Sequence, residues 1–358
     1  MLRRGLLAAA AGGVVGVPLA PAVFSPRPAR AQPQGVAFEE FMVPGGDPGI
    51  ELYLRNKRPE AAPAGGASAA RTVICVHGAT YPASTGFDLP LGGISWLDYM
   101  ASAGFDAWTV DLRNYGRSTR EAAMSRPPEG AAPLTTAEQA VADLAAAARF
   151  VRERRGVPRT VVIGWSWGTA TAGRFAAANP SLVERLVLYA PVWAGDGREG
   201  FAAGLPPVTS AYRTVTRAAA RERWLGSAPE NRRATLLPPG HFEHWADVNF
   251  ASDPEGARQT PSVLRAPNGV LVDFQTVWNA NRAGYDPAAI AAPTMLVVAE
   301  WDRDTPPSRA YTLFPLLANS PGKRLVVLGE GTHSIMLERN RGALFQSVQV
   351  FLQEGAAA

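Results

Sequence analysis

A serine, a histidine and a group of acids each follow a short apolar run, and together they could hydrolyse a covalent bond. Segment 164–168 has the sequence Gly-Trp-Ser-Trp-Gly and directly follows the apolar run 160–163; an Ala-rich stretch comes next. Where a strand turns sharply into a helix, glycines on both sides of the central serine remove Cβ atoms that would clash. The helix also directs its first amides at the point where an oxyanion would form. Ser166 is therefore the candidate nucleophile.

A serine needs a base to attack at neutral pH, and the chain has four histidines. His333 follows the last predicted strand, on a loop from which it can reach a serine at the same sheet edge. His77 comes directly after an early strand, whereas His241 and His244 lie in a segment without strands. An isolated pair of histidines three residues apart is a weak metal signal, so no metal site is predicted.

The acid that orients the base is expected just after the preceding strand, in segment 299–306. Asp302 lies at a suitable distance from the end of that strand. Asp304 is the alternative, and Glu300 lies too close to the strand. With this choice the order along the chain is Ser166, Asp302, His333, and each residue follows a strand.

Apolar runs that alternate with helical segments indicate an α/β fold with a mostly parallel sheet covered on both faces. The run 35–43 and the run 51–55 predict an antiparallel strand pair at the start. Further strands are predicted at 72–76, 107–111, 160–164, 185–189, 295–299 and 324–328. Helices are predicted at 95–103, 135–154, 167–179, 308–318 and 339–353.

Residues 194–290 have no clear strand pattern and are rich in arginine, proline and aromatic residues. We expect a mostly helical insertion that forms a cap over the carboxyl edge of the sheet, between core segments 32–193 and 291–358. Trp245 and Trp278 are candidates for the roof of an apolar pocket, or for core residues of the cap. Tyr81, in the loop after the early strand, either lines the site or packs within its loop. Spacing of four predicts Arg213, Arg217 and Arg221 on one solvated helix face.

Residues 1–31 have the pattern of a twin-arginine signal peptide. Arg3 and Arg4 precede a short apolar stretch, and the sequence Ala-Arg-Ala at 29–31 resembles a cleavage site. Pro18 and Pro21 interrupt the apolar stretch, which argues against a spanning helix. We therefore expect an exported protein, periplasmic or secreted, with no stable membrane anchor after processing.

Charge gives no indication of a nucleic-acid partner. Residues 1–31 contain four arginines and no acids, so 35 − 4 = 31 basic residues remain against 31 acidic ones. A balanced mature chain has no basic surface excess of the kind that nucleic acid requires. The single cysteine, Cys75, lies in an apolar run and is expected to be a buried core residue without a disulfide partner.

From about residue 71 to the C-terminus the chain resembles the α/β-hydrolase superfamily, in particular its capped branch similar to monoglyceride lipases and serine aminopeptidases. Besides the serine turn, the segment His-Gly-Ala at 77–79 resembles that family's oxyanion loop. The segment Asp-Leu-Arg-Asn-Tyr-Gly-Arg-Ser at 111–118 matches a second family motif except at Asn114, where the family has glycine. Asparagine tolerates a left-handed backbone, so the turn can be kept. The resemblance implies an oxyanion hole formed by the backbone N–H groups of Ala79 and Trp167, with His77 holding the loop.

The resemblance and the ordered residues together predict a serine hydrolase that acts through an acyl-enzyme without a cofactor. The resemblance alone implies that the bond it cleaves is a carboxylic ester. Its substrate would be a small molecule with an apolar part. An amidase or peptidase, a lactonase or a C–C hydrolase would use the same three residues. A catalytically silent hydrolase fold that only binds ligands is a further alternative. The sequence gives no prediction of the oligomeric state.

Overall fold

An eight-stranded sheet organises the protein, seen here in a computed structural model that describes residues 35–61 and 66–356. The order across the sheet is β1-β2-β4-β3-β5-β6-β9-β10, in which β1–β2 and β2–β4 are antiparallel and the other pairs parallel. The strands are β1 Val36–Pro44, β2 Glu51–Pro59, β3 Thr72–Val76, β4 Asp106–Asp111, β5 Thr160–Trp165, β6 Val183–Tyr189, β9 Thr294–Ala299 and β10 Arg324–Leu328. This confirms the predicted α/β-hydrolase architecture.

Helices cover the sheet, and their starts follow from the sequence. The core helices are α1 Ala83–Gly86, α2 Trp96–Ser102, α3 Ala137–Arg155, α4 Trp167–Ala178, α10 Pro307–Leu316 and α11 Arg341–Ala356. Thr136 caps α3: its hydroxyl accepts from the Gln139 amide, and the Gln139 side chain accepts from the Thr136 amide. Such a reciprocal pair satisfies two of the N–H groups that a helix start leaves open.

The two faces of the sheet bury separate apolar layers. Along β3, Val73 and Cys75 belong to one buried cluster, whereas Ile74 and Val76 belong to the other. Alternation of this kind follows from the two-residue period of a strand, and a strand buried on both faces is apolar throughout. Burial of Cys75 raises the pKa of its thiol well above the ordinary value. The thiol is therefore an unreactive core group, as expected for a buried cysteine.

The segment between β6 and β9 covers the carboxyl edge of the sheet and is not purely helical. It contains α5 Arg217–Gly226, α6 Glu230–Leu236, α7 His241–Ala251, α8 Pro254–Ala257 and α9 Gly269–Asp273, which continues as one π-helical turn over Phe274–Trp278. It also contains β7 Tyr212–Thr216 and β8 Val263–Pro267, which form a two-stranded antiparallel sheet. The sequence showed no clear strand in this segment, because these strands are short and pair across about fifty residues.

The predicted signal peptide, residues 1–31, lies outside the described residues. Within the part that the structure describes, none of the helices combines the length and hydropathy needed to cross a bilayer.

Candidate active site

Ser166 lies between β5 and α4 in a strained backbone conformation, with φ 57° and ψ −127°. The glycines of this turn are required by close packing. A Cβ at Gly164 would lie 2.4 Å from the Gly168 carbonyl oxygen, and one at Gly168 would lie 2.4 Å from the Val76 carbonyl oxygen. A side chain at Gly78 would collide with Ser166 itself, at 2.7 Å from its Cβ. Strain that surrounding packing enforces is a frequent feature of functional sites.

His333 lies on the loop after β10, and its ring contacts an acid from the neighbouring loop. The distance from His333 Nδ1 to Asp302 Oδ2 is 2.8 Å. Asp302 is itself held in place, because its Oδ1 accepts from the amides of Asp304 and Thr305 and its Oδ2 accepts from the Thr305 hydroxyl. Burial lowers the pKa of His333, but the charges of Asp302 and Asp304 outweigh that effect and raise it. The imidazole can thus donate a hydrogen bond from Nδ1–H to the Asp302 carboxylate and keep Nε2 as a proton acceptor.

Asp304 lies on the other side of the same ring. Its Oδ2 is 3.9 Å from His333 Nε2, whereas Asp302 contacts Nδ1 directly. Arg223 of α5 engages Asp304 through Nε and Nη2, with a shortest distance of 2.7 Å. Asp302 is therefore the acid that contacts Nδ1, whereas Asp304 pairs with Arg223 of the cap.

The loop after β3 brings Ala79 beside Ser166, and His77 holds that loop. The Nδ1–H of His77 donates to the Gly78 carbonyl at 2.8 Å, and its Nε2 accepts from the Leu112 amide at 3.1 Å. Burial lowers the pKa of His77 to about 4, so the ring is neutral at pH 7 and this tautomer is the one that satisfies both partners. Because the Gly78 carbonyl points at His77, the N–H of the same peptide, which belongs to Ala79, points to the opposite side.

Trp167 begins α4, so its backbone N–H is one of the open amides at that helix start. Ala79 lines the cavity beside Ser166. The two amides that the family resemblance assigns to an oxyanion hole thus come from two segments beside Ser166. The Trp167 indole points elsewhere and donates to Asp273 at 2.8 Å.

One cavity is lined by Ala79, Ser166 and His333 and has about 490 Å³ of empty space, part of it open to solvent. Its floor comes from the core and its roof from the cap. The cap residues on its wall are Ala220, Arg223, Trp224, Ser227 and Trp245. No hydrogen bond joins the Ser166 hydroxyl to His333 within the described part of the chain. Both side chains nevertheless face this cavity, and such contacts often tighten only when substrate binds.

Two of the three aromatic candidates line the cavity. Tyr81 and Trp245 meet edge to face there, with ring centroids 4.6 Å apart. Trp278 is not at the cavity: it is fully buried, its indole N–H donates to Asp273 at 2.7 Å, and Arg174 stacks on its ring. The assignment of Trp278 to the roof was therefore wrong. A fully buried indole whose N–H has a protein partner is a structural core residue.

The repeated arginines of the cap do not share a helix face. Arg213 lies in β7 and is half-buried, whereas Arg217 and Arg221 lie in α5 and pair with exposed acids of α7. Arg213 Nη2 donates to the Ala79 carbonyl at 2.9 Å and to the Thr80 hydroxyl at 3.0 Å, and Nη1 donates to the Pro267 carbonyl at 2.7 Å. Sequence reasoning missed Arg213 and Arg223 as site residues, because no motif marks a cap arginine.

Within the described residues, no cluster of three or more histidine, cysteine, aspartate or glutamate side chains could hold a metal ion.

Comparison with known families gives a match over most of the chain: a model of the alpha/beta hydrolase family matches residues 73–346. The chain belongs to the alpha/beta hydrolase family. By that membership the protein is a hydrolase. A search of curated proteins gave no match.

Solved structures similar to this hydrolase share its fold at low sequence identity. A serine hydrolase from Cycloclasticus zankles superposes with a TM-score of 0.59 at 14% identity, covering 88% of this chain and 98% of that one. An esterase from Thermogutta terrifontis gives 0.53 at 17% identity, covering 88% and 99%. The 2-hydroxy-6-oxo-6-phenylhexa-2,4-dienoate hydrolase of Rhodococcus sp. strain RHA1 gives 0.55 at 16% identity, covering 90% and 100%.

Proposed function

We propose that this hydrolase cleaves a carboxylic ester through an acyl-enzyme, with Ser166 as nucleophile, His333 as base and Asp302 as the orienting acid. The observation that carries the proposal is the 2.8 Å contact between His333 Nδ1 and Asp302 Oδ2, made by side chains whose loops border the Ser166 turn. A serine on a strained strand-to-helix turn, a buried imidazole and a fully hydrogen-bonded carboxylate are the parts that this chemistry requires.

In the proposed reaction the Ser166 oxygen attacks the acyl carbon while His333 Nε2 takes the hydroxyl proton. The Asp302 carboxylate stabilises the imidazolium that forms. The oxyanion of the tetrahedral intermediate accepts from the backbone N–H groups of Ala79 and Trp167. Collapse breaks the ester C–O bond, and His333 gives its proton to the leaving alcohol. Water then attacks the acyl-enzyme by the same route, which releases the acid and restores Ser166.

The substrate we propose is a small ester with an apolar part. The cavity wall supports this, because Tyr81, Trp224 and Trp245 contribute aromatic surface beside the serine. A narrow aromatic cavity favours an enclosed acyl or alcohol group over a long polymer. Amides, lactones and the C–C bonds that related hydrolases cleave would use the same machinery. A panel of these substrates therefore has to accompany the esters, and it also tests the resemblance to the monoglyceride-lipase and serine-aminopeptidase branch.

A fluorophosphonate probe tests the proposal. We expect stoichiometric labelling at Ser166, located by peptide mass spectrometry, and none in Ser166→Ala. That substitution should also lower kcat on an activated ester by about 10⁴ or more without changing thermal stability. Ser181→Ala, at an exposed serine, is the matched control and should label normally. Folded wild-type protein that takes no label and cleaves none of the panel would refute the proposal and favour a binding protein.

We also propose export by the twin-arginine route, supported by the sequence of residues 1–31. Replacing Arg3 and Arg4 by lysine should leave a cytoplasmic precursor, and N-terminal sequencing of exported protein should give a start close to Gln32. A mature protein that still begins before residue 25 would contradict cleavage at this site.

A further inference from the structure

The cap contributes one arginine to the cavity wall, and this residue lies beside the base. Arg223 of α5 lines the cavity together with Ser166, His333 and Asp304. Its guanidinium engages Asp304 through two nitrogens, Nε at 3.0 Å and Nη2 at 2.7 Å from Oδ2. The Phe201 ring covers the guanidinium at 4.5 Å. A paired and covered guanidinium of this kind has a fixed position.

Asp304 faces the atom of His333 that must accept the serine proton. Its Oδ2 lies 3.9 Å from Nε2, the nitrogen opposite the Asp302 contact. An unpaired carboxylate at that distance would stabilise the imidazolium and keep the base protonated. Arg223 opposes this effect, because its positive charge lowers the pKa of Asp304 and acts against protonation of His333.

Few other ionisable groups surround the ring. Asp302 acts on Nδ1, the Thr305 hydroxyl lies 3.4 Å from Nδ1, and the Trp165 ring packs at 5.7 Å. Tyr81 lines the same cavity and interacts electrostatically with Arg223 and Asp304. Two further titratable groups act on the backbone of the loop: the Tyr189 hydroxyl donates to the His333 carbonyl, and Glu338 accepts from Thr332. The pair formed by Arg223 and Asp304 is thus the only charge pair on the Nε2 side within the described residues.

We propose that Arg223 is a positioning residue for the base: by neutralising Asp304 it keeps His333 Nε2 free to accept the serine proton. This inference rests on the proposed role of His333 in ester cleavage. It also couples the base to the cap. Arg223 belongs to α5 of the cap and Asp304 to the loop after β9 of the core, so displacement of the cap would leave Asp304 unpaired beside Nε2 and favour the imidazolium form of His333. A larger fraction of His333 is then unprotonated when the cap lies over the cavity.

The decisive measurement is an NMR titration of His333, assigned by the signal that His333→Asn removes. In Arg223→Gln the midpoint should rise by about one pH unit, since a carboxylate within about 4–6 Å has at least this effect. In Asp304→Asn the midpoint of His333 should fall, because the Arg223 guanidinium then remains without its carboxylate partner. The double variant should return close to wild type, and Arg223→Lys should stay near wild type because it keeps the charge. Arg217→Gln is the control: it removes an α5 arginine whose partner, Asp247, is exposed.

The acid limb of kcat/KM against pH should move in the same directions, whereas a purely structural role would lower the rate without moving the limb. Midpoints in Arg223→Gln and Asp304→Asn that equal the wild-type value, or shift the same way, would overturn the inference. If Arg223→Gln does not fold, the downward shift in Asp304→Asn decides alone. The NMR titration needs no turnover, whereas the fluorophosphonate probe tests the proposed function. A negative result for the role of Arg223 is therefore distinguishable from a negative result for ester cleavage.

Discussion

At the scale of single residues, two aspartates two positions apart have different tasks because they meet different nitrogens of one ring. Asp302 accepts three hydrogen bonds from its own loop, and its Oδ2 also contacts His333 Nδ1. Asp304 receives its bonds from the cap arginine Arg223. A carboxylate held from several directions keeps the imidazole in one tautomer, whereas a carboxylate paired to the cap adjusts the charge beside Nε2.

We predict that Asp302→Asn lowers kcat by about 10³–10⁴, because an amide neither fixes the tautomer nor stabilises the imidazolium. Asp304→Asn should cost less than about tenfold, because it leaves in place the Asp302 contact to Nδ1 that fixes the tautomer. Steady-state kinetics of both variants on one activated ester make the comparison. A larger loss in Asp304→Asn than in Asp302→Asn would mean that the orienting acid is misassigned.

The sequence predicted the positions of Ser166, Asp302 and His333 because each follows a strand, and parallel strands bring their carboxyl ends to one edge. It also predicted the turn at Asn114, which has φ 68° and whose side chain bonds Glu121 and Thr135. It did not predict the partner of Asp304. That partner comes from a helix eighty residues earlier in the chain, and such a contact depends on how the cap docks.

At the scale of elements, helix α7 places Trp245 on the cavity wall while the π-helical turn after α9 buries Trp278 away from it. Trp245 stacks edge to face on both Tyr81 and Trp224, so it joins the core loop to α5. The two tryptophans form a natural pair of test sites, one at the cavity and one in the apolar core.

We predict that Trp245→Ala changes the preferred acyl length, mainly through KM, because each buried methylene contributes about 0.8 kcal/mol. A short activated ester should still be cleaved. Trp278→Ala is the matched comparison: it should lower thermal stability strongly, in line with about 3–5 kcal/mol for removing a buried aromatic side chain, without altering the preference. Equal chain-length profiles in wild type and Trp245→Ala would exclude Trp245 from the substrate pocket.

Strand β7 has a second task, since it carries Arg213 under the oxyanion loop. The guanidinium is partly withdrawn from solvent and has no carboxylate partner among the described residues, and this desolvation lowers the pKa of Arg213 to about 10. It still carries its charge at pH 7, and it donates to the carbonyl of Ala79, as does the Tyr115 hydroxyl at 2.9 Å. Two donors on one carbonyl fix the loop that presents the Ala79 amide to the substrate.

We predict that Arg213→Gln lowers kcat by about tenfold or more, because a hydrogen bond from a charged donor contributes about 1.5–3 kcal/mol and the oxyanion loop loses two, at Ala79 and Thr80. KM should change less, since the loop acts chiefly on the transition state. Arg221→Gln, an exposed arginine of the same cap, is the control. A normal kcat together with a lowered melting temperature in Arg213→Gln would assign Arg213 to folding alone.

The sequence predicted the strands of the core but not the two strands of the cap. Core strands such as β3 are apolar throughout because both faces are buried, and that pattern is visible in the residues themselves. Strands β7 and β8 are five residues long, each contains an arginine, and their ladder joins residues 212–216 to 263–267. Thr216 caps α5, so the helix begins at Arg217. Arg213 therefore lies outside the helix, although the spacing of four predicted it on one helix face with Arg217 and Arg221.

At the scale of the whole molecule, the cap is fixed to the core by polar contacts arranged around the cavity. Besides the arginine contacts, Thr85 of α1 donates to Asn249 of α7 at 2.6 Å. The Trp224 indole of α5 donates to Glu338 at 2.7 Å, and Glu338 also accepts from the Thr332 amide beside His333. One buried carboxyl thus joins the cap, the loop of the base and the start of the last helix.

Glu338 should make the stability of the protein fall as pH rises, because burial raises its pKa from 4.5 to about 7, although hydrogen bonds from Thr332 and Trp224 act in the opposite direction. Between these values the folded state keeps a proton that the unfolded state has lost, so the free energy of unfolding decreases with pH and levels off above about 7. The shift corresponds to about 3 kcal/mol. Urea denaturation at pH 5 and pH 8 measures it. In Glu338→Gln the free energy of unfolding should no longer decrease by this amount between the two pH values. Glu354→Gln, at an exposed position, is the control and should show the same decrease as wild type. A decrease of equal size in wild type and Glu338→Gln would show that Glu338 does not titrate in this range.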